Sequence, residues 1–330
     1  MLIQTRDFLW NGIKDSLGIY WTLLKIVIPM MIVVRIGIGF DLHLLLANWM
    51  APLMSFIDLP PETSLVIVTT LFAGMYGGAT ILASMLSELE MTVAQATVLT
   101  SMMVISHAIP MEQQIVRRAG VRLLLATLIR LVTGIVLAWV LYQTYDTLGV
   151  LQQPLTVAWA PDTQIDAPWP EWILNTARSL FFIFWVILAL LYVLRLFDIT
   201  GATRLISNSL SPFLSVMGIS KAATNLTMTG ALLGMMFGGG LIIREAQAGV
   251  LGHRTIFQSL VFMSICHGLI EDTLFAMILG GHISGIFFAR IILVVIVMVI
   301  LNKFIRAMPD RIFYRYFFHA PKQIDKSPSA

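Results

Sequence analysis

Charged residues are scarce in this sequence: Lys, Arg, Asp and Glu make up 12% of its 330 residues, about half the share found in soluble domains. Cysteine is almost absent, and the single Cys266 excludes an internal disulfide and a cysteine-based zinc site. Charged residues of both signs precede the first apolar run, at Arg6, Asp7, Lys14 and Asp15, so no cleavable signal peptide is expected. These shortages exclude a cytosolic enzyme, a secreted disulfide scaffold and a nucleic-acid-binding protein.

Hydrophobic residues are abundant instead, at 58% of the sequence. They cluster in runs of about twenty, the length at which a helix crosses a bilayer. The composition therefore predicts an all-α polytopic membrane protein. Full transmembrane helices are expected at roughly 17–40, 92–110, 121–143, 173–194, 253–270 and 283–301.

Two further apolar stretches, 64–86 and 224–246, are interrupted by glycines. The interruptions are Gly74-Met75-Tyr76-Gly77-Gly78 and Gly234-Met235-Met236-Phe237-Gly238-Gly239-Gly240. Glycine clusters weaken a helix and let the backbone turn. Each stretch is therefore either a re-entrant helical hairpin or a helix in close contact with another helix.

The distribution of Lys and Arg favours the hairpins. No Lys or Arg occurs between Arg35 and Arg117 or within 144–172, where the loops carry Asp and Glu instead. If both stretches are re-entrant, the basic clusters of the loops share one face of the membrane, which the positive-inside rule makes cytoplasmic. If both stretches cross fully, several basic loop residues move outside. The hairpin topology therefore places both termini in the cytoplasm.

A shift of 160 residues superposes the first half of the sequence on the second. The informative matches are non-aliphatic: Arg35 with Arg195, Asn48 with Asn208, Pro52 with Pro212, Thr69 with Thr229, Gly74 with Gly234, Gly78 with Gly238, His107 with His267, Gly120 with Gly280, and Arg130 with Arg290. Each half then has three transmembrane helices and one re-entrant hairpin, and this odd number of crossings inverts the second half. The predicted organisation is membrane repeat 1 at 1–143, an external linker at 144–172, inverted membrane repeat 2 at 173–302 and a cytoplasmic basic amphipathic tail at 303–330.

Inverted repeats with broken membrane helices are typical of secondary transporters. A helix that ends inside the bilayer leaves backbone polar groups that must face a polar ligand, water or protein. We therefore expect a substrate site at the hairpin tips. Its predicted residues are glycines that let a solute approach and nearby hydrogen-bonding side chains: Gly77, Gly78, Gly238, Gly239, Thr80, Asn225 and Thr229. For each threonine, a hydrogen bond to its own helix backbone is the alternative.

His107 and His267 end two predicted transmembrane helices at equivalent positions, and acidic residues follow each within five residues. Ionisable groups in a membrane helix usually mark a pathway or a pair. Three interpretations stay open for the histidines and the carboxylates of Glu112, Glu271 and Asp272. They bind a divalent transition metal, they carry protons for coupling, or the histidines simply cap their helices.

Arg130 and Arg290 lie near the middle of their predicted transmembrane helices. A buried guanidinium needs an acceptor. The favoured interpretation is an ion pair with Glu112, Glu271 or Asp272, and the alternative is direct binding of an anionic substrate.

The paired halves with glycine-rich hairpins, and the element His107-Ala108-Ile109-Pro110 followed by Arg117 and Arg118, resemble the nucleoside-recognition (Gate) domain family. That family includes spore maturation proteins A and B and the gate segments of B-type ferrous-iron permeases, in which a Cys-Ala-Ile-Pro element is similar to the one here. The resemblance covers about 10–305 and implies a nucleoside ligand. The sequence has no Gly-x-x-x-x-Gly-Lys-Ser/Thr phosphate loop, so GTP-coupled iron transport is not expected.

We therefore expect a secondary transporter or permease of a small polar solute, nucleoside-like by resemblance, with alternating access around the hairpin tips. The alternatives are a divalent metal ion permease and a non-transporting membrane subunit of a larger complex. No catalytic motif stands out, so neither an enzyme nor a cofactor is expected. The expected partners are the solute or ion, the lipid bilayer, and a second copy or a membrane subunit. The expected location is the bacterial inner (cytoplasmic) membrane.

Overall fold

The structure, a computed structural model, describes residues 2–86, 89–157, 168–247 and 249–319. Within these residues the chain is almost entirely helical, and extended pairing is limited to two isolated bridges. The helices are α1 (Leu2–Gly39), α2 (Leu42–Phe56), a 3-10 helix (Pro61–Thr63), α3 (Ser64–Met85), α4 (Val93–Ser106), α5 (Ile109–Arg118), α6 (Leu123–Leu148), α7 (Trp169–Thr200), α8 (Ala202–Val216), α9 (Lys221–Leu233), α10 (Met235–Gln247), α11 (His253–Cys266), α12 (Glu271–Ile278), a π-helix (Ser284–Ala289), α13 (Arg290–Ala307) and α14 (Asp310–Tyr316).

Seven helical segments among the described residues are long and apolar enough to cross a membrane. They are Ser16–Gly39, Pro61–Met85, Val93–Arg118, Leu123–Leu148, Trp169–Phe197, His253–Ile278 and Ser284–Ala307. These segments confirm the prediction of an all-α polytopic membrane protein. Six of them overlap the six predicted transmembrane helices, and the seventh contains the first glycine-broken stretch.

The predicted transmembrane helices 92–110 and 253–270 are each interrupted at a histidine. The backbone is extended at His107 (φ −73°, ψ 160°) and at His267 (φ −86°, ψ 171°). The residue that follows each histidine is left-handed, with φ of 49° and 58°. A left-handed residue cannot continue a right-handed helix. Helices α4 and α11 therefore end at the residue before each histidine, as expected for His107 and His267, and four residues before the predicted ends at 110 and 270.

The stretch 64–86 folds back on itself at Gly74. This residue has φ 83° and ψ −178°, a conformation that favours glycine. A Cβ placed on Gly78 would lie 3.0 Å from the Cβ of Thr70, whereas eight residues of continuous helix would separate the two positions by about 12 Å. The stretch is therefore a helical hairpin, as predicted, although its length and composition alone would suit a straight span.

Helices α9 and α10 form the equivalent hairpin around Gly234 (φ 96°, ψ 162°). The two arms are in backbone contact, since a Cβ on Gly230 would lie 3.2 Å from the Cα of Gly238. A Cβ on Gly238 would overlap the backbone of Gly230. Glycine at both positions is therefore the condition for this close approach.

The secondary structure repeats at the interval of 160 residues. Helices α2 and α8 begin and end at equivalent residues (42 and 202, 56 and 216), and so do α4 and α11 (93 and 253, 106 and 266). Residues with positive φ recur at the same interval: Asp41 and Gly201, Asp58 and Gly218, Gly74 and Gly234, Ala108 and Gly268, and Gly120 and Gly280. The two halves therefore share their local fold, while the inversion of the second half stays a prediction.

The chain divides into two compact units, and each unit takes segments from both halves of the sequence. Unit 1 comprises Met1–Ile109, Gly134–Arg204 and Ile270–Arg290, and unit 2 comprises Pro110–Thr133, Leu205–Leu269 and Ile291–Ala330. The breaks after 109 and after 269 are themselves 160 residues apart. The segment that follows the His107 turn, Pro110–Thr133, therefore belongs to unit 2, which contains His267. The segment that follows the His267 turn, Ile270–Arg290, belongs to unit 1, which contains His107.

The predicted external linker, 144–172, is helical at both of its ends, so its non-helical part is shorter than expected. Helix α6 continues to Leu148 and α7 already begins at Trp169. The bridge between Thr92 and Pro154 ties the remaining chain to the beginning of α4 within unit 1. Residues 158–167 lie outside the described part of the chain.

The first part of the predicted tail, 303–330, packs within unit 2. Phe313 and Phe318 are fully buried, and the ring of Phe318 stacks on His253 at a centroid distance of 4.7 Å. Arg254 donates to the Asp310 carboxylate at 2.7 Å at the beginning of α14. The amphipathic pattern therefore reflects aromatic packing against protein as far as residue 319, and residues 320–330 lie outside the described part.

Candidate functional site

In unit 1 the tip of the first hairpin lies against the turn that ends α4. The amide of Ala108 donates to the carbonyl of Thr70 at 3.0 Å, and a Cβ on Gly74 would contact the Cβ of Ala108 at 3.7 Å. The left-handed φ of Ala108 costs a non-glycine residue about 1–2 kcal/mol. The hydrogen bond to the hairpin offsets part of this cost and ties the tip to the turn.

The turn positions the buried side chain of His107. Its Nδ1 lies 3.0 Å from the carbonyl oxygen of Val104, and because a carbonyl only accepts, Nδ1 carries the hydrogen. The other ring nitrogen, Nε2, lies 3.8 Å from Oδ2 of Asp272 in the first turn of α12. This separation suits an ion pair and exceeds a direct hydrogen bond.

A second carboxylate in unit 1 is held by the hairpin itself. The hydroxyl of Tyr76, two residues after the hairpin tip, donates to Oε1 of Glu271 at 3.0 Å. The ring of Tyr76 also packs on Phe275, with centroids 4.5 Å apart. The hairpin therefore contacts the acidic beginning of α12 by a charge-assisted hydrogen bond as well as by ring packing.

Unit 2 repeats this arrangement around the second hairpin. The amide of Leu269, after the left-handed Gly268, donates to the carbonyl of Ala231 in the hairpin at 2.9 Å. Nδ1 of His267 donates to the carbonyl of Met263 at 2.9 Å. Both histidine turns are thus tied to a hairpin arm and both imidazoles are oriented by a backbone carbonyl.

The His267 side chain makes the closer carboxylate contact. Its Nε2 lies 2.9 Å from Oε1 of Glu112, and Nη1 of Arg130 lies 2.5 Å from Oε2 of the same carboxylate. Arg130 is fully buried and Glu112 is 6% exposed. Next along α5, the amide of Gln113 donates to the hydroxyl of Ser264 at 3.1 Å. Glu112 therefore contacts both Arg130 and His267 within unit 2.

The contact between His267 and Glu112 requires a shared proton. Since Nδ1 of His267 already donates to a carbonyl, a neutral ring would present a bare Nε2 to the carboxylate oxygen. Two bare acceptors repel each other at 2.9 Å. A hydrogen therefore lies between them, carried either by the imidazolium or by the carboxylic acid.

The carboxylates are exchanged between the two halves of the sequence. His107 of the first half pairs with Asp272 of the second, and His267 of the second half pairs with Glu112 of the first. Glu112 and Asp272 are themselves equivalent under the 160-residue shift. The sequence placed a carboxylate about one turn after each histidine, whereas the structure pairs each histidine with the carboxylate that follows the other.

The structure brings together one of the predicted ion pairs directly, that of Arg130 with Glu112. Arg290, the equivalent of Arg130, is likewise fully buried and belongs to unit 1 together with Glu271 and Asp272. Both arginines lie inside protein, where a guanidinium is retained only with acceptors.

The predicted binding residues of the hairpins have structural roles. The hydroxyl of Thr80 donates to the carbonyl of Gly77 at 2.7 Å, and that of Thr229 to the carbonyl of Asn225 at 2.9 Å. The first hairpin's other glycine, Gly78, packs against Thr70. These residues therefore satisfy and pack their own hairpin arms, which leaves less of their polar surface for a solute than expected.

In the second hairpin, Asn225 is exposed. Gly238 contacts the opposite arm, and Gly239 lies where a Cβ would meet the side chain of Ile115. Protein atoms of unit 2 therefore lie beside both glycines, and the approach of a solute to them stays a prediction.

Sequence reasoning missed three polar residues of these clusters: Tyr76, Gln113 and Ser264. Tyr76 carried a signal, since it is the polar side chain between the glycines of the first hairpin. The shift by 160 residues pairs Tyr76 with Met236 and Glu271 with Met111. Methionine thus stands in the other half at the positions of both partners of this hydrogen bond.

A divalent metal would find few ligands within either unit. Unit 1 offers the Nε2 of His107 and the carboxylate of Asp272, and unit 2 offers His267 and Glu112, whose second oxygen is held by Arg130. Transition metals in proteins take about four or more ligands. The prediction that His107 and His267 share one metal ion involves both units and stays a prediction.

The chain is similar to an uncharacterized membrane protein of Bacillus subtilis (strain 168), YvoD. The two are 21% identical over 300 residues, which cover 85% of this chain and 89% of the relative. No model of a known protein family matches the chain. No solved structure matches it either. The similarity and the seven apolar helices agree that this is a multi-pass membrane protein.

Proposed function

We propose that this protein is a secondary transporter of a small polar solute, with a nucleoside-like substrate as the resemblance to the Gate domain family implies. It would reside in the bacterial inner membrane with both termini in the cytoplasm, because its basic loop residues then share the cytoplasmic face. Transport would proceed by movement of the hairpin-bearing elements around a fixed site.

One observation carries the proposal: two apolar helical hairpins turn at Gly74 and Gly234, and both tips are tied to buried histidine turns. A helix that ends inside the hydrocarbon must find partners for its backbone groups. In each unit the described tip is held to the neighbouring turn by one backbone hydrogen bond, from Ala108 or from Leu269. Broken helices of this kind, repeated in both halves of a membrane protein, are typical of secondary transporters.

The histidine–carboxylate pairs supply a means of coupling. His267 and Glu112 hold one proton between them, and the same pair contacts Arg130. His107 and Asp272 stand 3.8 Å apart, so a proton or a small cation has room to change that contact. We propose that proton binding at these pairs accompanies the movement of the solute.

A divalent metal ion permease is the second candidate. Nδ1 of His107 and Nδ1 of His267 both donate to backbone carbonyls. This orientation is common for metal-binding imidazoles, because it fixes the tautomer and directs Nε2 to the metal. The contact of Arg130 with Glu112 opposes the metal, since a guanidinium competes with a cation for the carboxylate. A membrane subunit without transport activity is the third candidate.

Uptake into liposomes that contain only this protein separates the three candidates. We expect accumulation of radiolabelled nucleosides above that of protein-free liposomes when a proton gradient is imposed. The double substitution His107→Ala and His267→Ala abolishes uptake, whereas His282→Ala, which changes an exposed histidine, leaves it unchanged. Entry of Mn²⁺ or Zn²⁺ without nucleoside uptake supports the metal permease. Liposomes that take up neither, with correctly inserted protein, contradict transport by this chain alone.

A further inference from the structure

Unit 2 carries a group of basic side chains on its surface that the pair of His267 and Glu112 does not use. They belong to the turn between α5 and α6, to the end of α13 and to α14. All of them are exposed except one, which is half-buried. We call them the basic surface: Arg117, Arg118, Arg122, Lys303, Arg311 and Arg315.

Phe317 brings the three segments together. Its carbonyl accepts a hydrogen bond from the amide of Arg122 at 3.0 Å, and its ring packs on Phe304 with centroids 6.0 Å apart. Lys303 directly precedes Phe304, and Arg315 lies two residues before Phe317. The basic residues therefore lie around one point of unit 2, although nearly 200 residues of sequence separate the first from the last.

Neighbouring acidic residues do not neutralise this surface. The described part of unit 2 contains three carboxylates, and each already contacts an arginine outside the basic surface. These contacts are Glu112 with Arg130, Glu245 with Arg244, and Asp310 with Arg254. Within the described residues no ion pair joins a carboxylate to any of the six basic side chains. The surface therefore has a positive potential, which attracts anions.

Two apolar helix faces end at the basic surface. On α6 and on α13, exposed apolar side chains recur every four residues, as on a helix face towards hydrocarbon. They are Leu124, Leu128 and Val132 on α6, and Ile292, Ile296, Ile300 and Phe304 on α13. Arg122 comes shortly before the first face, and Lys303 lies at the end of the second. The basic surface is therefore at the boundary between hydrocarbon and headgroups.

Exposed tyrosine rings accompany the arginines of α14. Tyr314 and Tyr316 are exposed, whereas Phe313 between the two arginines is fully buried. The guanidinium of Arg315 lies over the ring of Tyr316, 5.2 Å from the centroid. Tyrosine is enriched at membrane interfaces, and basic residues beside exposed aromatic rings are typical of interfacial helices. This combination favours lipid over an acidic soluble protein as the partner.

We propose that the basic surface binds the headgroup of an anionic phospholipid, whose acyl chains lie along the apolar faces of α6 and α13. The predicted topology places these segments at the cytoplasmic side, where clusters of Lys and Arg next to a transmembrane helix bind anionic lipids. The lipid phosphate accepts charge-assisted hydrogen bonds from the guanidinium groups. This site is separate from the histidine pairs and stands whether or not the protein transports nucleosides.

Thermal unfolding of the purified full-length protein in neutral detergent tests the site. We expect phosphatidylglycerol to raise the unfolding temperature with saturation, because a ligand stabilises the state that binds it. Added salt weakens this binding, since it screens exposed charges, and phosphatidylcholine gives no saturable shift. Equal shifts with both lipids, or none with phosphatidylglycerol, overturn the proposal. A saturable shift with a polyglutamate peptide and none with phosphatidylglycerol also overturns it, and indicates an acidic protein partner.

Variants locate the effect. The double substitution Arg118→Gln and Arg315→Gln removes two exposed charges and raises the half-saturation concentration of phosphatidylglycerol by about tenfold or more. Arg117→Gln with Arg311→Gln has the same effect and decides the matter if the first pair does not fold.

The matched control removes the same charge from unit 1. Arg178→Gln with Arg204→Gln changes two exposed arginines and leaves the half-saturation concentration unchanged. Equal half-saturation in the wild type and in the folded variants of the basic surface overturns the proposal. So does an equal increase in the control, because it would show that only net charge matters.

Discussion

The Glu112 carboxyl group determines the chemistry of unit 2, because this one buried side chain contacts both Arg130 and His267. Arg130 contacts one carboxylate oxygen at 2.5 Å and His267 contacts the other at 2.9 Å. A fully buried guanidinium is tolerated in a membrane protein only when an acceptor matches its charge. The proton between His267 and Glu112 is therefore held next to a fixed positive charge.

Substitution of Glu112 by Gln tests this arrangement. The amide keeps the shape but removes the negative charge, which leaves Arg130 buried without its anionic partner. We expect a loss of about 3–5 kcal/mol in the free energy of unfolding, as for other broken buried ion pairs, measured by thermal or denaturant unfolding in detergent. Glu62→Gln, which changes an exposed carboxylate near the beginning of α3, should stay within about 0.5 kcal/mol of the wild type. Equal losses in both variants would contradict the ion pair.

The Tyr76 hydroxyl provides a second test at this scale. Tyr76→Phe keeps the ring contact with Phe275 and removes the donor to Glu271. We expect a loss of about 1.5–3 kcal/mol, because the bond is to a charged group, together with a lower uptake rate. Tyr316→Phe removes an exposed hydroxyl and should change neither quantity. An unchanged unfolding temperature in Tyr76→Phe would show that Glu271 does not depend on this bond.

Part of this residue-scale chemistry is predictable from sequence. The burial of Arg130 and its need for a carboxylate follow from an arginine in the middle of an apolar run. The exchange of carboxylates between the halves does not follow, because local spacing offers each histidine a carboxylate about one turn away. Only tertiary packing shows that His107 pairs with Asp272 and His267 with Glu112.

At the scale of elements, the two hairpins depend on glycine for two different reasons. Gly74 and Gly234 supply the backbone turn, with φ of 83° and 96°. Gly230 and Gly238 allow the arms of the second hairpin to touch, while in the first hairpin Thr70 stands where the second has Gly230. The second hairpin is therefore the more closely packed of the two and the more sensitive to any added side chain.

Gly238→Ala and Gly240→Ala form a matched pair that tests the hairpin. A Cβ on Gly238 overlaps the backbone of Gly230, whereas a Cβ on Gly240 meets nothing within 4 Å. We expect Gly238→Ala to destabilise the protein by about 1–3 kcal/mol or more, as overpacking does, and to abolish uptake. Gly240→Ala should be neutral or stabilising by about 0.5–1 kcal/mol, because alanine favours helix. Similar unfolding temperatures for the two variants would contradict a folded-back α9 and α10.

The sequence indicated both hairpins through their glycine clusters and the distribution of basic residues. It placed the ends of α4 and α11 near the histidines, but it did not indicate the left-handed residue that follows each histidine. The left-handed residue in the first break is Ala108, and alanine gives no local signal for that conformation. The break is imposed by packing, since the Ala108 amide bonds to the hairpin carbonyl of Thr70. A helical pattern on either side of such a turn looks continuous in sequence.

At the scale of the whole molecule, the 160-residue repeat connects the observations. Helix ends, residues with positive φ and the breaks between compact units all recur at that interval. The repeat was visible in the sequence because rare residue types such as Arg, His, Asn and Gly keep one register. The sequence did not show that each compact unit combines segments of both halves. An alignment of the two halves shows which segments are equivalent, but not which segments pack together.

The inversion of the second half is the central claim, since alternating access around equivalent hairpins requires it. Single cysteines introduced at Glu90, Lys221 and Asp310 in a Cys266→Ala background measure it, by labelling with a membrane-impermeant maleimide in intact and in permeabilised cells. The account predicts that the cysteine at position 90 reacts in intact cells, whereas those at 221 and 310 react only after permeabilisation. Protection of position 90 in intact cells, with labelling after permeabilisation, would place the end of the first hairpin in the cytoplasm and contradict the inverted arrangement.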